Sequence, residues 1–286
     1  MQELYEQYKG LLFTLAYQMT GSSSDAEDVM QDVFLKLFDV EPGRMMDPKA
    51  YLCKMITNRC LDLLKSARKK RERYYGEWLP EPIFTLTEDS LESVIRGEQL
   101  SYAMLVLLER LSPAERSVFV LREALAFEYH EIADLIGKSE ANCRKMLSRA
   151  RGKMGIPHDE AIHAEPVGEE WVGRFLTALE HGNLSEVMSM LAEEVVLISD
   201  GGGKAFAAVH PIQSRDHVIR FLLGLVRKAS QNEGVIEMEM RGINGQTGLV
   251  FRTGQMIDTV ALMHVEGDLI RNFYFVRNPD KLKHLY

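Results

Sequence analysis

The hydrophobic pattern changes period near Gly155-Ile156-Pro157, and that change limits the chain to two kinds of architecture joined in series. Before it, apolar residues recur every three or four positions, the spacing that gives a helix one buried face. After it, short runs rich in Val, Ile, Thr and Phe dominate, as in strands. Residues 2–20 read as one amphipathic helix. Ser24-Asp25-Ala26-Glu27 has capping-box spacing with Ser24 as N-cap, and the helix it opens puts Val29, Val33 and Leu37 on one stripe flanked by Met30 and Phe34. Asp47-Pro48 starts a third helix, proline being suited to a first helical position, with Leu52, Ile56, Cys60, Leu63 and Ala67 facing inward. Periodicity fails over 74–96, where prolines, a glycine and mixed acids mark a linker. Helices resume over 97–111, and Ser112-Pro113-Ala114-Glu115 is a second capping box. Beyond the change of period, one or two helices over 165–191 lead into strands at Val195–Ser199, Val235–Arg241, Thr247–Arg252, Met256–His264 and Leu269–Arg277, with another helix at about 215–229. The expected fold is multidomain. Two all-α domains (1–74 and 97–156) are separated by a linker (75–96), and an α+β domain with a mostly antiparallel sheet follows (165–286).

A net charge of -8 argues against a nucleic-acid binder until it is divided along the chain. Residues 130–155 hold 6 Lys/Arg against 3 Asp/Glu, and a second basic run lies at Lys65–Arg73. Two such footprints in an acidic protein say more about partners than the total does. No apolar run approaches the roughly 20 residues needed to cross a bilayer. The N-terminal segment lacks the basic-then-apolar order of a signal peptide. Cys53, Cys60 and Cys143 have neither a disulfide framework nor zinc-like spacing, and read as buried core thiols. The expectation is a cytoplasmic protein with no metal and no cofactor.

The strongest local chemistry lies in 128–153. Glu131–Ile136 is a short helix ending at Gly137, and Ser139 can cap a second helix on which Cys143, Leu147, Ala150 and Met154 form a buried stripe. Asn142, Lys145, Ser148 and Arg149 fall on the opposite side. A short helix, a glycine turn and a basic-faced second helix is the pattern of a helix-turn-helix, whose second helix enters the major groove. An ordinary helical hairpin with a solvated basic face has the same outline, but Asn, Arg and Lys are the groups that pair with base edges and phosphates. The run at 65–73 extends the helix begun at Pro48, with Lys54, Asn58, Asp62, Lys65 and Lys69 on its polar side. Beside a helix-turn-helix it suits a phosphate-tracking surface. Asp25, Asp28 and Asp32 make an acidic ridge that would repel DNA and suit a basic protein partner.

Taken together, these pieces resemble a known family. Asp25–Phe34 resembles conserved region 2 of the sigma-70 family in its extracytoplasmic-function branch, Ala50–Asp62 resembles the helix that follows, and Leu111–Glu123 with the helix-turn-helix resembles region 4. Three further segments are similar to motifs of the members that carry a fused SnoaL-like C-terminal domain. They are Trp78-Leu79-Pro80-Glu81-Pro82, Asp200-Gly201-Gly202-Gly203-Lys204 and Asn278-Pro279-Asp280-Lys281-Leu282. The resemblance implies a transcription initiation factor, not an enzyme, that takes core RNA polymerase to promoters. By it, Asp25, Asp28, Gln31 and Asp32 face the polymerase. Asn58 and Arg59, with the loop 39–47, hold the -10 element, while Lys65, Arg68, Lys69 and Lys70 contact phosphates. Ser139, Asn142, Arg144, Lys145 and Arg149 form the -35 surface. Contact between the Gly201–Gly203 loop and the linker at Trp78–Pro82 is expected to regulate the helical segments in cis. A rigid apolar ligand costs little to order, and a bare glycine loop admits close backbone approach.

A different class remains open for the tail, since SnoaL-like domains include isomerases and cyclases. It would be a small-molecule receptor or enzyme domain fused to a DNA-binding regulator. Asp258, His264 and His210 are then the acid–base candidates.

Overall fold

The computed structural model describes residues 2–38, 47–71, 74–85, 100–157, 162, 167–231 and 236–285. The chain forms two compact units. One comprises Met1–Glu72, Thr87–Leu100 and Met104–His163, and the other Arg73–Leu86, Ser101–Ala103 and Ala164–Tyr286. Arg73–Leu86 and the short stretch Ser101–Ala103 therefore group with the C-terminal domain.

The first unit contains α1 (Gln2–Thr20), α2 (Ser23–Leu37), α3 (Pro48–Arg71), most of α4 (Tyr102–Leu108), α5 (Pro113–Phe119) continuing as a π turn (Val120–Ala124), α6 (Tyr129–Ile136) and α7 (Glu140–Met154). The expected stripe of α2 is buried, and so are Leu52, Ile56 and Cys60 of α3. Burial of each such aliphatic side chain is worth about 1.5–3 kcal/mol. Burial also pushes the Cys60 thiol up to about 12, with the Asp25 charge adding to it, so it stays a thiol. Two local expectations shift. Ser22, not Ser24, is the N-cap of α2, its Oγ accepting from the Asp25 amide at 3.1 Å. Gly21 takes a left-handed φ of 70° right after α1, which lets Ser22 turn extended and starts the helix early. On α3, Leu64 is buried where Leu63 was expected, because four positions on from Cys60 repeats its face more closely than three. Helix 97–111 is shorter, with 97–99 outside the described residues.

Arg116, on α5, joins the helices of this unit. Its side chain is 3% exposed. It donates to the Met19 carbonyl at 2.8 Å, to the Leu108 carbonyl at 3.2 Å and to the Glu109 carboxylate. Met19 and Leu108 lie in the last turns of α1 and α4, where the dipole favours a cation, and the Leu108 carbonyl also accepts from the Leu111 amide at 3.1 Å. One guanidinium thus caps two helices from opposite ends of the unit's sequence. Burial lowers its pKa to about 9, which leaves it charged at neutral pH.

The second unit is α+β. A six-stranded sheet of β1 (Leu191–Asp200), β2 (Ile212–Gln213), β3 (Ile236–Ile243), β4 (Gln246–Thr253), β5 (Met256–Glu266) and β6 (Leu269–Val276) has the order β2-β1-β6-β5-β4-β3. Only β1 and β6 run parallel. Helices α8 (Glu169–Glu180), α9 (Leu184–Ser189) and α10 (Arg215–Gln231) cover one face, where Val172, Phe175, Val218 and Leu222 meet Leu249, Ala261, Phe273 and Phe275. Two-residue β2 carries no periodic signal and was not expected. A last short helix, α11, spans Pro279–Leu282.

Replacing Arg116 by Met removes a charged donor from the Met19 carbonyl, the Leu108 carbonyl and the Glu109 carboxylate. The expected cost is about 3 kcal/mol in urea unfolding followed by helical circular dichroism, with Arg116→Lys recovering part of it. A loss below about 0.5 kcal/mol would show that the cap does not hold the unit together.

Candidate functional site

The helix-turn-helix assembles from local signals. Gly137 ends α6 at φ 64°, and Ser139 is extended and caps α7 by accepting from the Asn142 amide. Cys143, Leu147, Ala150 and Met154 are buried, and Asn142, Arg144, Lys145 and Arg149 are exposed on the other side. Two anchors were not foreseen. Arg151 is buried and donates to Glu123 at 2.9 and 3.1 Å, so this cation builds the fold rather than the basic face. Lys153 reaches Glu115 at 2.7 Å. Burial raises the Glu115 pKa, but hydrogen bonds from Lys153 and Ser112 more than offset it, and the net shift is downward. The stabilisation is therefore present above the ordinary carboxylate range and lost as pH falls through it.

On α2, Asp28 and Gln31 are exposed and Asp25 is half-buried. Asp32 accepts from Arg59 Nε of α3 at 2.7 Å, both side chains being about two-fifths exposed. A residue expected to meet polymerase and one expected to meet DNA are thus partners of each other. Asn58 is exposed, and Lys65 pairs with Asp62 at 2.9 Å. The loop 39–46 and the side chains of Arg68, Lys69 and Lys70 lie outside the described residues.

In the second unit the three C-terminal-domain motifs converge on a buried ion pair. Asp200 is 0% exposed at the end of β1 and receives Lys281 Nζ at 2.7 Å, the Leu79 amide at 2.9 Å and the Tyr74 hydroxyl at 2.6 Å. Lys281 also donates to the Leu79 carbonyl, and its ammonium lies 3.9 Å from the Trp78 ring centroid. Asn278 caps α11 and donates to the Tyr74 oxygen at 2.7 Å. Burial, then Asp200, pushes the Tyr74 phenol above its ordinary range, so it remains a donor. Leu79, Pro80, Glu81 and Pro82 are buried, the Pro80 carbonyl accepts from Tyr102, and the Pro82 carbonyl meets His284. Leu282 is buried, and Lys204 pairs with Asp280 beside the hub at 2.5 Å.

The glycine loop meets the linker one step upstream of the expected place. A Cβ on Gly202 would stand 2.2 Å from Asn278 Nδ2 and 2.8 Å from the Tyr74 hydroxyl, and Gly203 faces Tyr75. Trp78 and Leu79 are instead met by Lys281 and Asp200. The acid–base candidates do not converge. Asp258 and His264 are six residues apart on β5, about 20 Å along a strand. Asp258 accepts from Thr253, His264 pairs with Asn272 at 3.2 Å, and His210 is exposed. No helix among the described residues is long and apolar enough to cross a membrane.

A helical unit that ends in a helix-turn-helix and a C-terminal α+β domain that carries the connecting linker define a DNA-binding transcription factor with a fused domain. The Sigma-70 region 2 family matches residues 4–70, and the Sigma-70, region 4 family matches residues 101–154. The extracytoplasmic-function RNA polymerase sigma factor SigJ of Mycobacterium tuberculosis (strain H37Rv) is 34% identical over 289 residues, covering 97% of this chain and 91% of that protein. The probable sigma factor SigI of Mycobacterium tuberculosis (strain CDC 1551) is 33% identical over 187 residues, 64% of each chain. The crystal structure of Mycobacterium tuberculosis SigJ superposes with a TM-score of 0.81 at 32% identity, covering 99% of this chain and 98% of that one. The chain belongs to the extracytoplasmic-function RNA polymerase sigma factors of the sigma-70 family.

Lys281→Met strands a fully buried carboxylate with only its neutral donors. Such a break costs about 3–5 kcal/mol. Thermal unfolding of the full chain, followed by the fluorescence of Trp78 and Trp171, should shift to lower temperature, and Gly202→Asp should shift it too. An unshifted Lys281→Met midpoint would refute the hub.

Proposed function

We propose that this sigma factor is regulated in cis, its C-terminal domain controlling the linker through which its two promoter-binding segments must separate. The observation that carries the reading is the Asp200–Lys281 hub, which binds linker residues Tyr74, Trp78 and Leu79 to the C-terminal domain. The names of the -35 and -10 elements put them 25 base pairs apart, about 85 Å at 3.4 Å per step. Region 2 and region 4 helices are meanwhile joined through Arg116. Freed, the 28 or so residues between Tyr74 and Tyr102 could extend to about 100 Å, enough for that span. Held at the hub, and tied back by the Tyr102 bond to the Pro80 carbonyl, they have less length to offer that span. Polymerase then favours the released form.

Within this reading Asp25, Asp28, Gln31 and Asp32 face core polymerase. Asn58 and Arg59 hold the -10 strand, Lys65, Arg68, Lys69 and Lys70 contact phosphates, and α7 reads the -35 element through Asn142, Arg144, Lys145 and Arg149. The protein works in the cytoplasm on core polymerase and promoter DNA. What supports the polymerase face is the exposure of Asp28 and Gln31 on the acidic side of α2. The Asp32–Arg59 pair is half-exposed and worth at most about 1 kcal/mol, so polymerase or DNA can compete for either partner.

Two measurements test the reading. Asp28→Arg should abolish binding of core polymerase while leaving the unfolding midpoint within about 2 °C, since exposed helix positions tolerate substitution; unchanged affinity refutes the polymerase face. Truncation near residue 165, Lys281→Met and Gly202→Asp should each change promoter output in the same direction at matched protein concentration. Equal transcription from all four proteins would exclude control in cis.

A further inference from the structure

We propose that Tyr129 is a positioning residue for promoter reading, holding the Arg144 guanidinium so that its free edge reads a guanine in the upstream element. The proposal rests on α7 being the recognition helix. Its starting observation is geometric. Arg144 Cζ lies 4.0 Å from the Tyr129 ring centroid, close enough for the guanidinium to stack on the ring. Arg144 Nη2 donates to Glu140 Oε2 at 3.0 Å one turn back on α7. An exposed arginine ordinarily loses its rotamer freedom only when it meets DNA. Here a ring and a carboxylate hold it beforehand, so less ordering remains to be done on binding.

The ring is itself fixed. Arg122 Cζ lies 5.0 Å from the same centroid, and Arg122 is tied to Glu128 at 3.0 Å and to the Phe127 carbonyl at 2.8 Å. Arg122 therefore serves as the ring's anchor, and Arg144, more than half exposed, as its reader. Arg144 is the fifth residue of α7, in the N-terminal part of a recognition helix that reaches base edges. Glu140 takes one of its five N–H donors, and the planar fork that remains carries donors only. In the major groove only guanine offers two adjacent acceptors, N7 and O6. Adenine pairs an acceptor with a donor, thymine has one acceptor and a methyl group, and cytosine presents a donor. The chemistry therefore selects a G·C pair under Arg144. Glu140, which alone would repel DNA, is neutralised by the same guanidinium and lies at the end of α7 where the helix dipole favours an acid.

The test uses the full chain with core polymerase and a promoter set in which each upstream base pair is changed in turn. Arg144→Ala is expected to lose the preference for one G·C pair by about 5- to 150-fold. Tyr129→Ala should lose about 3- to 10-fold at that same pair, with the other positions and the salt dependence unchanged. Tyr129→Phe should retain the wild-type preference, because the ring stacks without its hydroxyl. A Tyr129→Ala profile weakened equally at every position, or one identical to wild type, overturns the proposal, as does loss of the preference in Tyr129→Phe. If Arg144→Ala alters no base preference, the assignment of α7 as the recognition helix falls as well. If Arg144→Ala loses its pair while Tyr129→Ala does not, only the positioning role falls.

Discussion

A carboxylate and an ammonium withdrawn from water, Asp200 and Lys281, can be stable only if every group they leave unsolvated finds a partner. The C-terminal domain brings them together but cannot satisfy them by itself. The missing partners are the Tyr74 hydroxyl, the Leu79 amide and carbonyl, and the face of Trp78, all from the linker. Release of the linker would expose two charges whose surroundings are shaped for burial. This makes the docked state specific, and the linker is held further by bonds of Pro80, Pro82, Ile83 and Thr85 to Tyr102, His284, Asn244 and Gly242 respectively. Gly202 belongs to the same construction, because any side chain there would occupy the space of Asn278 and Tyr74.

The helical unit solves a similar problem with Arg116. Two carbonyls in the last turns of helices, at Met19 and Leu108, accept from one buried guanidinium, the Leu108 oxygen accepting from the Leu111 amide as well. Each unit thus has a buried cation at the place where segments remote in sequence are joined, and each cation binds backbone carbonyl oxygen. Backbone acceptors are independent of side-chain identity. Such a junction therefore depends on the cation and on helix or linker geometry more than on any matching pair of side chains.

Some of this was legible in the chain itself. The capping box at Ser112–Glu115, the Gly137 turn, the Ser139 cap and the buried stripe of α7 are consequences of spacings of three and four residues, and they stand where the pattern puts them. The approach of the glycine loop to the linker was legible as a possibility, because three successive glycines leave a backbone bare. Its atoms were not. The start of α2 moved to Ser22 because the exit of α1 through Gly21 set it, and no local pattern reports how the preceding helix ends. β2, two residues long, owes its existence to pairing with β1.

Sequence by itself determined most of the elements and of the faces they bury, the two basic footprints and the boundary between helical and strand-forming halves, because each depends on neighbours within a turn or a pleat. Tertiary structure alone decided which charges are partners. Arg151, drawn from the most basic segment, went inward to Glu123. Asp32 and Arg59, with separate expected roles, met each other across 27 residues. Tyr74 found Asn278 across 204 residues, and in doing so the linker joined the C-terminal domain. Charge pairing acts through space and carries no period along the chain. A list of residues can therefore supply the candidates for such contacts, while the path of the backbone chooses among them.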